Sequence, residues 1–402
     1  MGPAHQRNRA DAQDQRRRGP AAGRAQHSAR AHLHAGGSRE RGRVRRLAAG
    51  QLHERGDHHA RRRPAEGTAR LTSVIVDVHV HYVSPGAFDA ARRQPDTYGV
   101  RLLPGDGVRL QIGDEPPTRP LLPALYTLDL HTKFLAEQGI DTAVFGPLMD
   151  VAAYSLPMAQ GAAWSRLQNE ALAGALREAP GAHRGLATVP LQEPAAAAAE
   201  LRFAVRELGL RGAMVDPNAL GRPLGDAAFD PFWKAAADLA APIVLHPFLL
   251  EAVERFGRHY LHNLVGYPFE TTLAAASLIL GGTLDRFPGL SVVLVHGGGF
   301  LPYHIGRFDR AHETRPEARV DDAGLPSRYL RRFFYDTLVQ RPEALRYLVQ
   351  LVGHDRVMLG SDHPFWMGDP DPLRVVREAG LDPATEAAIF GENAAQIFHL
   401  RP

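Results

Sequence analysis

The sequence of 402 residues contains no cysteine. Disulfides and thiolate metal ligands are therefore excluded, and any metal held by side chains must use His, Asp or Glu. No stretch approaches the roughly 20 consecutive apolar residues that a transmembrane helix needs. The hydrophobic share of 44% and the charged share of 23% are those of a globular protein.

Lysine is almost as scarce, because the chain has only Lys133 and Lys234 beside 45 arginines.

The charge is distributed unevenly along the chain. Residues 1–72 hold 17 Arg, no Lys and 6 acids, whereas the remainder holds 30 basic and 38 acidic residues. The pI near 9.3 is thus a property of the first segment and not of the rest of the chain.

Residues 1–72 have almost no aromatic or β-branched residues and no hydrophobic periodicity, so we expect them to be disordered. A nucleic-acid-binding arm and a transit peptide are two interpretations of this segment. We favour a third, in which the gene start is set too far upstream and the segment is translated non-coding sequence of a GC-rich genome. The predicted domain is 73–402, a cytoplasmic body without nucleic-acid or membrane partners.

The stretch Val74–His81 reads V-I-V-D-V-H-V-H. Its β-branched residues predict a strand buried on both faces. Side chains alternate along a strand, so His79 and His81 point to the same side at its C-terminal end. Two imidazoles fixed in this way are half of a metal site.

The rest of the chain alternates apolar runs with helical spacing, which predicts an α/β fold. The predicted strands lie at Val74–His81, Thr142–Leu148, Gly185–Leu191, Gly212–Asp216, Pro242–Phe248, Ser291–Phe300, Phe333–Thr337 and Arg356–Asp362. Eight alternations over about 330 residues fit a closed (β/α)8 TIM barrel better than an open sheet. The polar, Pro/Gly-rich residues 82–123 are too long for a connection and predict an insertion or lid after strand 1.

Catalytic groups of such barrels lie at the C-terminal ends of the strands. There the sequence places His79 and His81 (strand 1), His246 (strand 5) and Asp362 (strand 8). A lone strand-end histidine is more often structural, and a lone Asp362 could cap a turn. Together, three nitrogen donors and one carboxylate leave room for water or substrate, which indicates a catalytic metal site.

His296 also ends a strand, in V-V-L-V-H-G-G-G-F. The three glycines let the backbone approach a ligand closely. A tight turn in which the histidine has no function would give the same sequence pattern. Its position beside the predicted metal favours a general acid/base.

Other candidates carry weaker signals. Arg119 and Arg307 could bind a substrate carboxylate, but most of the arginines are expected to be solvated. His259 and His262 are expected at the surface. Both lysines fall in helical patterns, so a carboxylated lysine bridging two ions is not expected and one metal is the economical interpretation.

Five motifs in this order resemble the amidohydrolase superfamily, specifically its branch typified by 2-amino-3-carboxymuconate-6-semialdehyde decarboxylase. The motifs are V-D-V-H-V-H, V-P-L-Q, I-V-L-H-P, L-V-H-G-G-G-F-x-P-x-x-x-G-R-x-D and D-R-V-M-L-G-S-D-x-P-F. The resemblance covers Val74 to the C-terminus. It implies a distorted TIM barrel with one Zn²⁺ (Mn²⁺ is possible) held by His79, His81, His246 and Asp362, and no organic cofactor.

The resemblance also implies roles for three further residues. His296 would be the acid/base that acts on the metal-bound water. Arg307 would reach the active site of a neighbouring subunit, which implies a homodimer, and Arg119 would bind the substrate carboxylate. The chain departs from the family at His363, where tyrosine is frequent, and at 259–263, where relatives carry aromatic substrate-lining residues. A different substrate is therefore expected.

These features predict a carboxy-lyase, a metal-dependent and cofactor-free decarboxylase of an unsaturated or aromatic carboxylic acid. Loss of CO2 builds carbanion character, which the metal, Asp362, His296 and the arginines would stabilise or protonate. The alternative is a hydrolase that cleaves a lactone or amide on the same site, because the ligand set permits both reactions. A catalytically silent metal-binding protein is the third class. The substrate and the native ion stay open.

Overall fold

The structure is a computed structural model that describes residues 74–248, 250, 253–319 and 324–400. Within these residues, eight short parallel strands follow one another along the chain. They are β1 (Val76–His81), β2 (Thr142–Gly146), β3 (Arg184–Gly185), β4 (Ala213–Val215), β5 (Ile243–Leu245), β6 (Val292–Leu294), β7 (Phe333–Asp336) and β8 (Val357–Met358).

The strands form a ring in chain order. Strands β1 to β3 pair as one sheet and β4 to β8 as another. Parallel bridges join the two sheets at both edges, between Val80 and His363 and between Ala187 and Ala213. The amide of Asp362 also donates to the carbonyl of His79 at 2.8 Å. The predicted (β/α)8 barrel is confirmed.

Helices cover the outside of the ring in the predicted alternation. The long ones are Leu128–Gln138, Met158–Glu178, Pro194–Arg206, Asp230–Asp238, Tyr267–Leu280, Leu301–Thr314, Pro342–Val352 and Pro372–Glu378. Short helices lie at Thr283–Arg286, Pro383–Ala387 and Asn393–Ile397. Buried hydrophobic residues in the strands, or directly after them as at Leu186, pack with these helices in one large core.

The strands end earlier than predicted. Gly185–Leu191 continues past the last paired residue as buried, irregular backbone, whereas Ser291–Phe300 passes into a short 3-10 turn at His296–Gly298. The apolar runs therefore mark burial around the barrel and not the length of hydrogen-bonded strand. Pro190 has no amide hydrogen to donate, and the three glycines after His296 turn the chain at once.

The predicted insertion after β1 is present as a small folded layer. It contains helices Pro85–Arg93 and Pro95–Tyr98 and an antiparallel hairpin of Val100–Leu103 with Arg109–Ile112. It has its own apolar cluster, which includes Phe88. The segment 1–72 predicted to be disordered lies outside the described residues. Among the helices of the described part, none is long and apolar enough to cross a membrane.

Candidate metal centre and active site

Four buried side chains from three strands meet at the C-terminal mouth of the barrel. His79 and His81 belong to β1, His246 directly follows β5, and Asp362 follows β8. One ligand atom of each lies within 4.8 Å of those of the other three. The structure thus brings together the four residues that the sequence selected as metal ligands.

The spacing within this group fits one divalent ion. Oδ1 of Asp362 lies 3.3 Å from Nε2 of His79, 3.1 Å from Nε2 of His81 and 3.7 Å from Nε2 of His246. Atoms about 2.0–2.1 Å from a shared tetrahedral ion are separated by roughly 3.3–3.4 Å. These four buried atoms have no hydrogen-bond partner within the described part of the chain. Buried polar atoms without partners are costly, and a bound cation would satisfy all four.

The second nitrogen of each β1 histidine is held by the protein. Nδ1 of His79 donates to Oδ2 of Asp336 at 2.7 Å, and Nδ1 of His81 donates to the carbonyl oxygen of Pro147 at 2.9 Å. These bonds leave each Nε2 as the lone-pair donor facing the other ligands. Asp336 also accepts the amide of Gly297 at 2.8 Å.

Asp336 was missed at the sequence level. It ends β7 in F-F-Y-D, so the strand-end rule that selected Asp362 could have found it. The carbonyl of Pro147 has no sequence signal, because any residue at that place would offer the same oxygen.

Asp77 anchors β1 to the segment that carries Asp362. Its carboxylate accepts the hydroxyl and the amide hydrogen of Ser361 as well as the amide of His79. Burial raises the pKa of Asp77 to about 6, against the opposing effect of these bonds. The candidate ligands of β1 and the segment after β8 are therefore fixed to each other by a buried side chain.

The site favours a cation. Burial alone would lower the pKa of His79, but the charge of Asp362 and the bond to Asp336 raise it to about 10. Burial, followed by the charge of His81, lowers the pKa of His246. Burial would raise the pKa of Asp362, yet His79 and the other histidines hold it well below the usual range. A metal ion would replace the proton that His79 otherwise retains.

His296 lies beside this group and is more accessible. Its Nε2 is 3.8 Å from Oδ2 of Asp362, the oxygen that does not face the three ligand histidines, and its side chain is 19% exposed. The residue has a positive φ of 54°. The turn after it requires glycine, because a Cβ on Gly299 would meet the carbonyl oxygen of Pro268 at 2.3 Å. The imidazole is thus directed into the cavity by a glycine turn.

A cavity of about 730 Å³ opens over these residues. His81, His246, His296 and Asp362 line its floor, and the insertion supplies part of its wall, including Arg119. Arg307 is exposed on helix Leu301–Thr314 and does not line the cavity of its own chain.

Of the other residues considered in the sequence, one lies at the cavity and the rest lie away from it. His262 lines the cavity, whereas His259 is exposed and does not, and neither joins the group of four ligands. Lys133 and Lys234 lie on outer helices, 3.8 Å from Glu137 and 2.8 Å from Asp238. His363 stacks on Phe134 with the ring centroids 3.9 Å apart, and it does not line the cavity.

The amidohydrolase family profile matches residues 76–400. The chain belongs to the amidohydrolase family. This amidohydrolase is 34% identical over 236 residues to 2-amino-3-carboxymuconate-6-semialdehyde decarboxylase of Dictyostelium discoideum, a match that spans 58% of this chain and 66% of that relative. It is 30% identical to gamma-resorcylate decarboxylase of Rhodococcus jostii over 68% of this chain and 87% of that relative. The resemblance to the decarboxylase branch is confirmed.

A solved structure shares the fold of this amidohydrolase. Dihydroxybenzoic acid decarboxylase of Polaromonas, crystallised with manganese and 2-nitroresorcinol, superposes with a TM-score of 0.67 over 82% of this chain and 98% of that chain, at 22% identity. This amidohydrolase has a buried His/Asp group of the kind that could hold a metal.

Proposed function

We propose that this amidohydrolase is a metal-dependent, cofactor-free decarboxylase of an aromatic or unsaturated carboxylic acid. One observation carries the proposal: three of the four ligand residues and His296 line the floor of a single cavity, which is large enough for a substituted aromatic ring. The names of the relatives support the reaction class.

A bound divalent ion would supply Lewis acidity toward the oxygens of the substrate. His79, His81, His246 and Asp362 would hold that ion. Arg119, on the wall of the cavity, would bind a carboxylate oxygen of the substrate and fix its orientation.

His296 would deliver the proton. In its protonated form it transfers a proton from its imidazole to the carbon that bears the carboxylate. The carbon–carboxylate bond then breaks, its electron pair returns to the ring or double bond, and CO2 leaves. Neutral His296 regains a proton from solvent through the exposed part of its side chain.

We propose that the enzyme is a homodimer in which Arg307 reaches the neighbouring active site. The segment from His262 to Leu280 exposes an apolar face beside the helix that carries Arg307. Its exposed residues are Leu264, Val265, Phe269, Leu273 and Leu280. Such a continuous apolar face is typical of an interface, and a second copy would place Arg307 against it.

We propose Zn²⁺ as the native ion, with Mn²⁺ as the alternative, because both accept imidazole and carboxylate ligands. Metal analysis of the purified protein by mass spectrometry decides between them. A cytoplasmic location also stays a prediction.

The decisive experiment measures metal content and CO2 release together. The full chain, and a second protein that starts at Ser73, are loaded with Zn²⁺ or Mn²⁺ and given a panel of hydroxybenzoates and muconate-type acids. One metal per chain with release of CO2 supports the proposal. Formation of a new carboxylic acid from a lactone or amide without CO2 would establish the hydrolase instead. A metal-loaded protein that releases no CO2 from these acids and hydrolyses no lactone or amide would contradict both functions.

A further inference from the structure

Among the described residues, four carboxyl groups line the active-site cavity. Two of them already have a structural role, and a third is exposed to solvent. Asp362 belongs to the metal centre. Asp216 is buried at the end of β4, where its Oδ1 accepts the amide of Asn218 at 2.8 Å and its Oδ2 accepts the amide of Phe248 at 2.7 Å. Glu115 is exposed on the insertion. The fourth is Asp150.

Asp150 lies in the short 3-10 turn Met149–Val151 that follows β2, and its side chain is half-buried. Among the described residues, no Arg, Lys or His nitrogen lies within 4.0 Å of its carboxylate. Arg119 and Tyr267 are close enough to affect it electrostatically, and both also line the cavity. Within the described part of the chain, Asp150 is therefore an acid in the substrate cavity without an ion-pair partner at contact distance.

A carboxylate in this position needs a partner when the substrate displaces water from the cavity. Burial raises the pKa of Asp150 to about 6, and the opposing charge of Arg119 limits the rise. At neutral pH the group is mostly ionised, so it accepts hydrogen bonds and does not donate them. It also repels the carboxylate that the substrate brings to the metal centre.

We propose that Asp150 selects aromatic acids that carry a hydrogen-bond donor, a phenolic hydroxyl or a ring amino group, at an edge of the ring away from the carboxylate that is lost. This inference rests on the proposed function and specifies its substrate class. Asp150 acts in two ways: it accepts the hydrogen of the donor, and it disfavours the reversed orientation that would bring the substrate's carboxylate against it.

The contribution of Arg119 differs from that of Asp150. Arg119 is always charged and donates hydrogen bonds, so it accepts any carboxylate and does not distinguish acids by their other substituents. A site built to accept a substrate hydrogen discriminates against the analogue that lacks it, because its own buried acceptor is then left unpaired. We expect a preference of roughly 10-fold to 100-fold.

The test compares matched acids on the metal-loaded full chain. The probes are 2-hydroxybenzoate, 2,4-dihydroxybenzoate and 4-amino-2-hydroxybenzoate, and the readouts are kcat/KM for CO2 release and Kd by calorimetry. The wild type should prefer the two acids with the distal donor by about 10-fold or more. D150N should reduce this ratio severalfold or more while it still binds 2-hydroxybenzoate.

D114N is the matched control, because Asp114 is exposed on the insertion and does not line the cavity. It should keep the wild-type ratio. Equal ratios in wild type and D150N, with CO2 released, would overturn the inference and leave the proposed function intact. Selective binding that depends on Asp150, without CO2 release, would overturn the proposed function and retain the selectivity. Failure to bind any probe would overturn both.

Discussion

Asp336 links the metal centre to the turn that carries His296 through one carboxylate. Its Oδ2 accepts from the metal-site histidine His79, while its Oδ1 accepts the amide of Gly297, the residue after His296. In D336N, an amide NH2 group, which donates hydrogen bonds, would replace the carboxylate oxygen that faces Nδ1 of His79. Nδ1 of His79 would then lose its acceptor, and the imidazole ring would no longer be held in one tautomer. We expect metal affinity to fall by roughly 10-fold to 100-fold.

Competition with a chromophoric chelator measures that affinity for Zn²⁺ and Mn²⁺ independently of turnover. D355N is the matched control, because Asp355 is partly exposed and pairs with Arg331 at 2.9 Å away from the site. An unchanged metal Kd in D336N would show that the bond to Asp336 does not position His79.

His296 is the proton donor of the proposed reaction and not one of the four metal residues. H296N should therefore retain the metal while CO2 release falls by roughly 100-fold or more. Metal analysis and a CO2 assay on the same preparation check both parts. H304N, a change at an exposed histidine of the following helix, should leave both values unchanged. Full activity in H296N would assign proton transfer to another group.

The selectivity of Asp150 should depend on pH. Burial raises its pKa to about 6, against the charge of Arg119, and Tyr267 is the other titratable neighbour that this carboxylate affects. Below that value the group is protonated and loses most of its acceptor strength. The ratio of kcat/KM for 2,4-dihydroxybenzoate over 2-hydroxybenzoate should therefore fall from about pH 7.5 to about pH 5 in the wild type. It should stay flat in D150N, and parallel curves for the two proteins would refute the assignment.

At the scale of the element, the helix Tyr267–Leu280 presents Leu273 and Phe269 to solvent, with 52% and 47% of their surfaces exposed. L273E would place a charge on the face that we assign to the subunit contact. We expect the dimer to dissociate and CO2 release to fall, because Arg307 would no longer reach its partner's site.

Light scattering after size exclusion measures the mass of the particle. L130E is the control, since Leu130 has a similar exposure of 41% on a helix on another side of the barrel. A monomeric wild type, or an L273E dimer with full activity, would contradict this interface.

The elements show which parts of the site the sequence could predict. The four candidate metal residues could be predicted because the arguments for them depend only on local geometry. Alternation along β1 placed His79 and His81 on one side, and the position of catalytic groups at strand ends selected His246 and Asp362. The hairpin of the insertion was not predicted, although its P-G-D-G turn is a signal for one. Asp150 could not be found in this way, because it follows β2 by several residues and only the folded chain shows which acids of the cavity lack partners.

At the scale of the whole molecule, a bound ion would connect distant parts of the chain. Its ligands come from β1, β5 and β8, which only the closed barrel brings together, so the unfolded chain offers no comparable site. A ligand that binds only the folded state stabilises it by about 2.7 kcal/mol when its free concentration is 100 times its Kd.

Chelation of the purified enzyme should therefore lower its Tm by several degrees, and added Zn²⁺ or Mn²⁺ should restore it. D362N removes the carboxylate that lies within 3.7 Å of Nε2 of all three histidines, so the Tm of this variant should respond weakly to both chelator and metal. If chelation strips the ion from the wild type and its Tm does not change, the ion does not connect these strands, and the four residues would not be the ligands that hold it.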